Sequence, residues 1–200
     1  MKYFIVGSVA SGVGLYGLSM LYLWAGSLQF NVLAEQFVIN GTDPLPLIAM
    51  GFVLVGFGFK VSAAPFHFAA PDAYAGASSP IAGILATASK AMGIIGLLRM
   101  LLIVAAPEAS EDGTVWLTLL GVLSLVTMTW GNIAALGSTN PKRMLAYSSV
   151  AHAGYMLAAI TAIGAWNWDA SFAGDAGESA VAVLTACLLY TSPSPRDVRS

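Results

Sequence analysis

The sequence predicts an all-α fold, a polytopic bundle of transmembrane helices. Apolar residues make up 58% of the chain and charged residues 9%, against roughly 45–50% and about 25% in an ordinary soluble domain. A soluble fold cannot cover its surface with so few charges. Five apolar stretches also reach the length of roughly 20 residues that a membrane-spanning helix needs.

Polar loops rich in Gly, Pro, Asn and Asp separate these five stretches. A sixth apolar segment begins near Ser179 and stops short of a full span. We expect residues 1–190 to form a partial membrane domain and residues 191–200 to be a disordered or non-native tail, because the run TSPSPRD interrupts apolar sequence. The predicted spans are 3–26, 45–66, 80–106, 114–136 and 144–165.

Loop charges predict the orientation, because Lys and Arg of short loops remain on the cytoplasmic side. Lys142 and Arg143 place the loop after the fourth span inside, and alternation then places Lys2, Arg196 and Arg199 inside as well. Most acidic residues are predicted to lie on the outer side. Only two acids, Asp72 and Asp197, are predicted to lie on the inner side. The predicted outer acids are Glu35, Asp43, Glu108, Glu111, Asp112, Asp169, Asp175 and Glu178.

Composition argues against several functional classes. A net charge of −2 provides no basic surface for nucleic acid, whose binding depends on clustered Lys and Arg. The single cysteine, Cys187, cannot form a disulfide framework or a Cys-based zinc site. The sequence contains no phosphate-binding glycine loop, no HxxxH or HExxH metal motif, and no set of nucleophile, base and orienting residue. We therefore predict no metal site and no catalytic or cofactor-binding residues.

Three cations, Lys60, Lys90 and Arg99, fall inside predicted spans. A charge at the bilayer centre costs about 2.5–3.5 kcal/mol on insertion scales, so such residues suggest a function. Lys90 follows Pro80 by ten residues, which is roughly 15 Å into a core about 30 Å thick and therefore at the midplane. A desolvated lysine can lose its proton, since burial disfavours the charged form.

Lys60 lies beside residues that weaken or interrupt a helix, namely Gly56, Gly58 and Pro65. We expect this span to be discontinuous and to border a hydrated path, because irregular backbone at membrane depth must be buried in protein or line a watery cavity. For both lysines the alternative is a structural role, through snorkelling or a static buried pair. For Arg99, whose guanidinium remains charged, snorkelling or an electrostatic role is as compatible with the sequence as a more specific function.

The two histidines also have two interpretations. His67 lies between Pro65 and Pro71, and His152 lies within the fifth span. A membrane histidine commonly makes hydrogen bonds between packed helices. It can also relay protons, because it titrates near neutrality.

Several motifs closely resemble the antiporter-like membrane subunits N of respiratory complex I, the bacterial-type NADH:quinone oxidoreductase. The resemblance covers nearly all of residues 2–190, and a lysine in the ATASK context favours subunit N over its sibling subunits, which often have histidine there. The motifs are GFKVSAAPFH at 58–67, PDAYAGA at 71–77, LATASK at 85–90, WGN at 130–132, TNPKRMLAYSS at 139–149 and HAGY at 152–155.

The resemblance implies a mechanism. The helix with Lys60 would be discontinuous, and Lys60 would pair with a glutamate on the preceding helix. Lys90 would be a central proton carrier. Lys142 would lie near the inner entrance of the proton path. His67 and His152 complete the set of expected proton-translocation residues. The protein would conduct protons through buried lysines, driven by electron transfer from NADH to quinone elsewhere in the complex.

The same resemblance implies that NADH, FMN, iron–sulfur clusters and quinone bind to the parent complex and not to this subunit. Its expected partners are the sibling antiporter-like and small membrane subunits and the lipid bilayer, and its expected location is the bacterial inner (plasma) membrane. By this resemblance we expect the chain to begin at what looks like the family's sixth helix, and so without the glutamate partner. We also expect it to lack the later helices of the family. A multisubunit sodium/proton antiporter subunit and a membrane scaffold with structural cations are the alternative interpretations.

Overall fold

The computed structural model describes residues 1–40, 43–101, 111–168 and 176–190, and within these ranges all regular structure is α-helical. The predicted tail at 191–200 lies outside the described residues. The helices are α1 (Lys2–Ala25), α2 (Phe30–Asn40), α3 (Pro44–Val61), α4 (Ala69–Gly76), α5 (Ser79–Ala86), α6 (Ala88–Met100), α7 (Glu111–Leu136), α8 (Pro141–Trp168) and α9 (Ala176–Tyr190).

The predicted all-α membrane bundle is confirmed. Among the described residues, five segments are long and apolar enough to cross a bilayer, and they correspond one to one to the predicted spans. The sixth predicted segment is α9, which has 15 residues and is shorter than the roughly 20 residues of a full span. The five segments are Lys2–Ala25, Pro44–Val61, Pro80–Met100, Trp116–Leu136 and Pro141–Ala165.

Helix α2 is an element that the sequence analysis did not predict. Its 11 residues would extend about 16 Å, half the thickness of the hydrocarbon core. Leu33 and Phe37, spaced four residues apart, are buried on one face, and the Phe37 ring packs edge-on against Trp24 at a centroid distance of 5.0 Å. The buried face of α2 therefore packs against the last turn of α1. A search for spans misses α2 because it is too short.

Close approach of the backbones joins the main helix pairs, α1 with α3 and α7 with α8. A Cβ atom at Gly17 would lie 2.7 Å from the Ala49 carbonyl oxygen, and one at Gly131 would lie 2.7 Å from the Ala151 nitrogen. Small residues permit such contacts, and membrane helices depend on them because lipid leaves little hydrophobic driving force for association. The positions of these glycines set the depth of α3 and α8, which position the lysines described below.

One end of the bundle, which we call the basic end, brings together the starts of α1 and α8 with α4. Asp72 forms ion pairs with Lys2, at 3.6 Å, and with Arg143. All three residues were predicted to lie on the inner side, and they do share one end. These exposed pairs contribute at most about 1 kcal/mol each, so they orient the helix ends more than they stabilise the fold.

Substitution of Gly131 by Ala tests the α7–α8 contact. The added methyl group would meet the α8 backbone, so we expect a loss of about 1–3 kcal/mol in unfolding free energy. Gly121→Ala on the same helix is the control, because nothing lies within 4 Å of its Cβ position. The control should be neutral or slightly stabilising. Equal thermal denaturation curves for the two variants in lipid nanodiscs would contradict this packing.

Candidate functional site

The span that carries Lys60 is interrupted, as the sequence predicted. Helix α3 ends at Val61 and α4 begins at Ala69. The helix end is a Schellman motif: Ser62 adopts the left-handed conformation (φ 62°), its N–H donates to the Phe59 carbonyl, and the Ala63 N–H donates to the Gly58 carbonyl. Two of the carbonyl groups at the helix end thus obtain partners without water.

The segment after the motif is fixed by α7. The Ala64 N–H donates a buried hydrogen bond of 3.0 Å to Thr127 Oγ1, and that hydroxyl donates to the Leu123 carbonyl of its own helix at 2.6 Å. The Phe66 ring packs against Gly58, where a Cβ atom would approach it to 2.8 Å. The break is therefore held by specific contacts at membrane depth, where an unsatisfied backbone group is costly.

Lys60 is not enclosed by the described residues. It stands in the last turn of α3 and is exposed on the surface of the described chain. The aliphatic stem packs across Gly93 of α6, and the residue borders a groove of about 330 Å³ between α1, α3 and α6. Gly93 leaves room for this stem at the contact between α3 and α6.

Lys90 is the buried cation of the site, with 2% of its surface exposed. Its Nζ donates a hydrogen bond of 2.8 Å to the Ser149 carbonyl of α8 and a second one to the Ser149 hydroxyl. The Tyr74 ring of α4 lies on another side, with its centroid 5.8 Å from Nζ. Charge-assisted hydrogen bonds and a cation–π contact replace part of the lost hydration.

A helix irregularity precedes Lys90. Thr87 separates α5 from α6, and its hydroxyl donates to the Gly83 carbonyl at 2.8 Å. Such bonding of a threonine to the carbonyl four residues earlier often bends a helix. The span of Lys90 is thus also irregular next to its cation, which the sequence analysis did not anticipate.

A cavity of about 260 Å³ lies beside Lys142 and Ser149. Both residues belong to one face of α8, since they are seven positions, or two turns, apart. The start of α8 is fixed by Asn140, whose Oδ1 accepts a 3.0 Å hydrogen bond from the Lys142 N–H. The cavity lining comprises Tyr74, Ala77, Ala82, Gly83, Ala86, Lys142, Leu145, Ala146 and Ser149.

The two histidines flank this arrangement. His152, half-buried one turn beyond Ser149, lies close enough to Lys90 for their charges to interact, and its ring meets Tyr155 edge-on at 5.8 Å. His67 is 5% exposed in the break after α3, with the Trp130 ring at 6.0 Å. Its Nδ1 has no hydrogen-bond partner within the described residues. The structure thus brings His152 to the Lys90 site and leaves His67 at the break.

Arg99 lies apart from this site. Its side chain is exposed, and the guanidinium carbon lies 5.1 Å from the centroid of the Phe30 ring on α2. The contact joins the end of α6 to the unexpected helix. It gives the Arg99 guanidinium an electrostatic partner in the Phe30 ring.

Three residues of the site were missed by sequence reasoning: Tyr74, Thr127 and Ser149. Each acts through a contact between helices distant in sequence, and the Lys90–Ser149 pair spans 59 positions. A signal existed for Ser149, because it falls two turns from Lys142 on the same face of α8. In the described residues, no group of three or more His, Cys, Asp or Glu could hold a metal ion.

Substitution of Thr127 by Val tests the hydrogen bond that holds the segment after α3 against α7. The change keeps the shape and leaves the Ala64 N–H without an acceptor, so we expect a loss of about 1–3 kcal/mol in unfolding free energy and faster amide exchange at Ala64. Thr127→Ser keeps the hydroxyl and should therefore keep the hydrogen bond and the slow amide exchange at Ala64. Thr129→Val on the same helix removes only a bond to the Leu125 carbonyl and is the control. If the Ala64 amide in Thr127→Val is as protected from exchange as in the unchanged protein, Thr127 does not hold the break.

Comparison with known proteins assigns the family. Residues 1–177 match the family model described as NADH:quinone oxidoreductase/Mrp antiporter, transmembrane. NADH-quinone oxidoreductase subunit N 2 of Roseiflexus castenholzii is 40% identical over 196 residues, which cover 96% of this chain and 38% of that protein. Subunit N of Rubrobacter xylanophilus is 45% identical over 163 residues, covering 82% of this chain and 33% of the relative.

Solved structures agree. A chain of respiratory complex I from Thermus thermophilus matches 95% of this chain and 38% of its own length, with a TM-score of 0.68 and 37% identity. A chain of the Mrp complex from Dietzia matches with a TM-score of 0.70 over 95% of this chain and 34% of its own length; at 20% identity it shares the fold.

The chain spans between a third and two fifths of the length of these curated relatives. It is a multi-pass membrane protein, and the bacterial origin of the relatives places it in the bacterial inner membrane. With the family model matching 177 of 200 residues, the chain belongs to the NADH:quinone oxidoreductase/Mrp antiporter transmembrane family.

Proposed function

We propose that this chain is part of a membrane subunit of NADH:quinone oxidoreductase that conducts protons across the membrane. The observation that carries the proposal is the state of Lys90, a titratable cation enclosed within a span and held beside a cavity that reaches Lys142. A lysine at this depth costs several kcal/mol unless its hydration is replaced. Burial at such cost is typical of proton pathways.

The proposed path begins at Lys142, which is exposed at the basic end and would attract and exchange protons with bulk water. The cavity continues along one face of α8 to the region of Lys90. Lys60 lies on the other side, across Gly93, so a charge on one lysine can influence the other. His152, whose charge interacts with that of Lys90, and His67, in the break after α3, are the proposed histidines of the path.

Under this proposal the electron-transfer groups belong to other subunits. An iron–sulfur cluster of the common kind needs four cysteine ligands, and these 200 residues contain one. The chain likewise has no glycine-rich phosphate loop for NADH or FMN. The proposed cofactors of the parent complex are NADH, FMN, iron–sulfur clusters and quinone, and the proposed partners are the sibling antiporter-like and small membrane subunits.

A sodium/proton antiporter subunit is the second candidate, and the fold shared with the Mrp chain supports it. The identity of 40–45% to named subunits N favours the oxidoreductase. A scaffold with structural cations is the third candidate, and it differs from both others in predicting no dependence of proton movement on Lys90.

Two substitutions of Lys90 separate these candidates. In the assembled oxidoreductase, Lys90→Ala removes the proposed proton carrier. Lys90→Arg keeps a positive charge at the position, but a guanidinium does not release its proton. We expect both to reduce NADH-driven proton pumping by about tenfold or more, the contribution of a positioned acid–base group. Pumping is measured by quenching of a pH-sensitive dye in inverted vesicles.

Arg99→Ala is the matched control, since it removes an exposed cation from the same helix, and its pumping should remain normal. Normal pumping by a fully assembled Lys90→Ala complex would refute the carrier role. Sodium-dependent proton exchange without NADH oxidation would favour the antiporter instead.

A further inference from the structure

We infer that the Ser149 hydroxyl is the proton relay between the cavity and Lys90. This inference rests on the proposed function and names a residue of the path that the sequence did not identify. Ser149 lines the cavity, whereas Lys90 does not. The Lys90 ammonium nonetheless donates to both oxygen atoms of Ser149. Ser149 therefore stands between the cavity and the buried cation.

The enclosure of Lys90 leaves few routes for a proton: His152 is one neighbour whose charge interacts with that of Lys90, and Ser149 is the neighbour that also lines the cavity. With 2% of its surface exposed, Lys90 has almost no direct contact with water. The Tyr74 ring covers one side, and the Tyr74 hydroxyl is directed elsewhere, with the Leu85 carbonyl as its acceptor at 3.3 Å. Of the two Ser149 groups that accept from Nζ, the carbonyl has no proton to give. The hydroxyl does.

A hydroxyl can accept one hydrogen bond while donating another, which is the property that a relay needs. When Lys90 is a neutral amine, the Ser149 O–H proton moves to Nζ as Oγ takes a proton from a hydronium ion in the cavity. The O–H bond to the first proton breaks and one to the second forms, so serine is regenerated, lysine becomes ammonium and water remains. The reverse step returns a proton to cavity water.

The geometry of α8 gives the relay its connection to the basic end. Lys142 and Ser149 lie two turns apart on one face, with Ala146 between them as a small residue on the same cavity wall. At 1.5 Å per residue the two positions are about 10 Å apart along the axis. A short chain of water molecules in the cavity would cover this distance.

The test uses the isosteric pair Ser149→Thr and Ser149→Val in the assembled oxidoreductase, with Ser149→Ala as the smallest truncation. Thr and Val have nearly the same volume and differ in the hydroxyl. We expect Ser149→Val and Ser149→Ala to reduce pumping per NADH oxidised by about tenfold or more and to change the pH profile of pumping. Ser149→Thr should keep the normal pumping ratio and the normal pH profile. Activities are normalised to the amount of assembled complex.

Ser124→Ala is the control for loss of a buried hydroxyl, because Ser124 donates to the Gly154 carbonyl at the α7–α8 contact and lies away from the cavity. It should pump normally. A loss in Ser124→Ala equal to that in Ser149→Val would assign the effect to helix packing and overturn the relay.

Lys90→Ala, measured in parallel, separates the two proposals. If it abolishes pumping while Ser149→Val and Ser149→Thr pump equally, the relay is wrong and the proposed function stands. If Lys90→Ala pumps normally, the proposed function fails and the relay fails with it. The relay predicts that Lys90→Ala and Ser149→Val lose proton pumping and that Ser149→Thr retains it.

Discussion

The hydrogen bonding of one buried ammonium group is the interaction on which the rest of the site depends. In hydrocarbon, Lys90 cannot be charged without partners that replace water, and Ser149 supplies two oxygen atoms for this purpose. That contact requires α8 to lie close to α6, and the glycine contact of Gly131 with α8 helps to set its position. Packing of small residues thus determines whether a charge can exist at the midplane.

The interrupted helix follows from the same constraint. Backbone groups released at the end of α3 are satisfied by the turn at Ser62 and by Thr127 of α7, so the break is stable without exposed polar groups. The break ends the helix directly after Lys60, whose stem rests on Gly93 of the Lys90 helix. The stem of Lys60 and the helix that carries Lys90 are therefore in direct contact.

Most of the fold could be predicted from the sequence, because span length and apolar composition are local properties. The five spans and the interrupted one followed from runs of apolar residues and from Gly and Pro. The partners could not be predicted in the same way, since Ser149 meets Lys90 only through the packing of α6 against α8. The exposure of Lys60 on the described chain could not be predicted either, because burial within a bundle depends on which face of a span has a neighbour.

Direct observation of the Lys90 proton tests the central claim, that this buried lysine exchanges its proton with the cavity. The measurement is the ¹⁵N chemical shift of the lysine Nζ atoms in the labelled protein in lipid, with the Lys90 signal assigned by its absence from Lys90→Arg. The account predicts that this signal changes between ammonium and amine positions as the pH on the cavity side is varied. A signal that remains at the ammonium position over the whole functional pH range would contradict it.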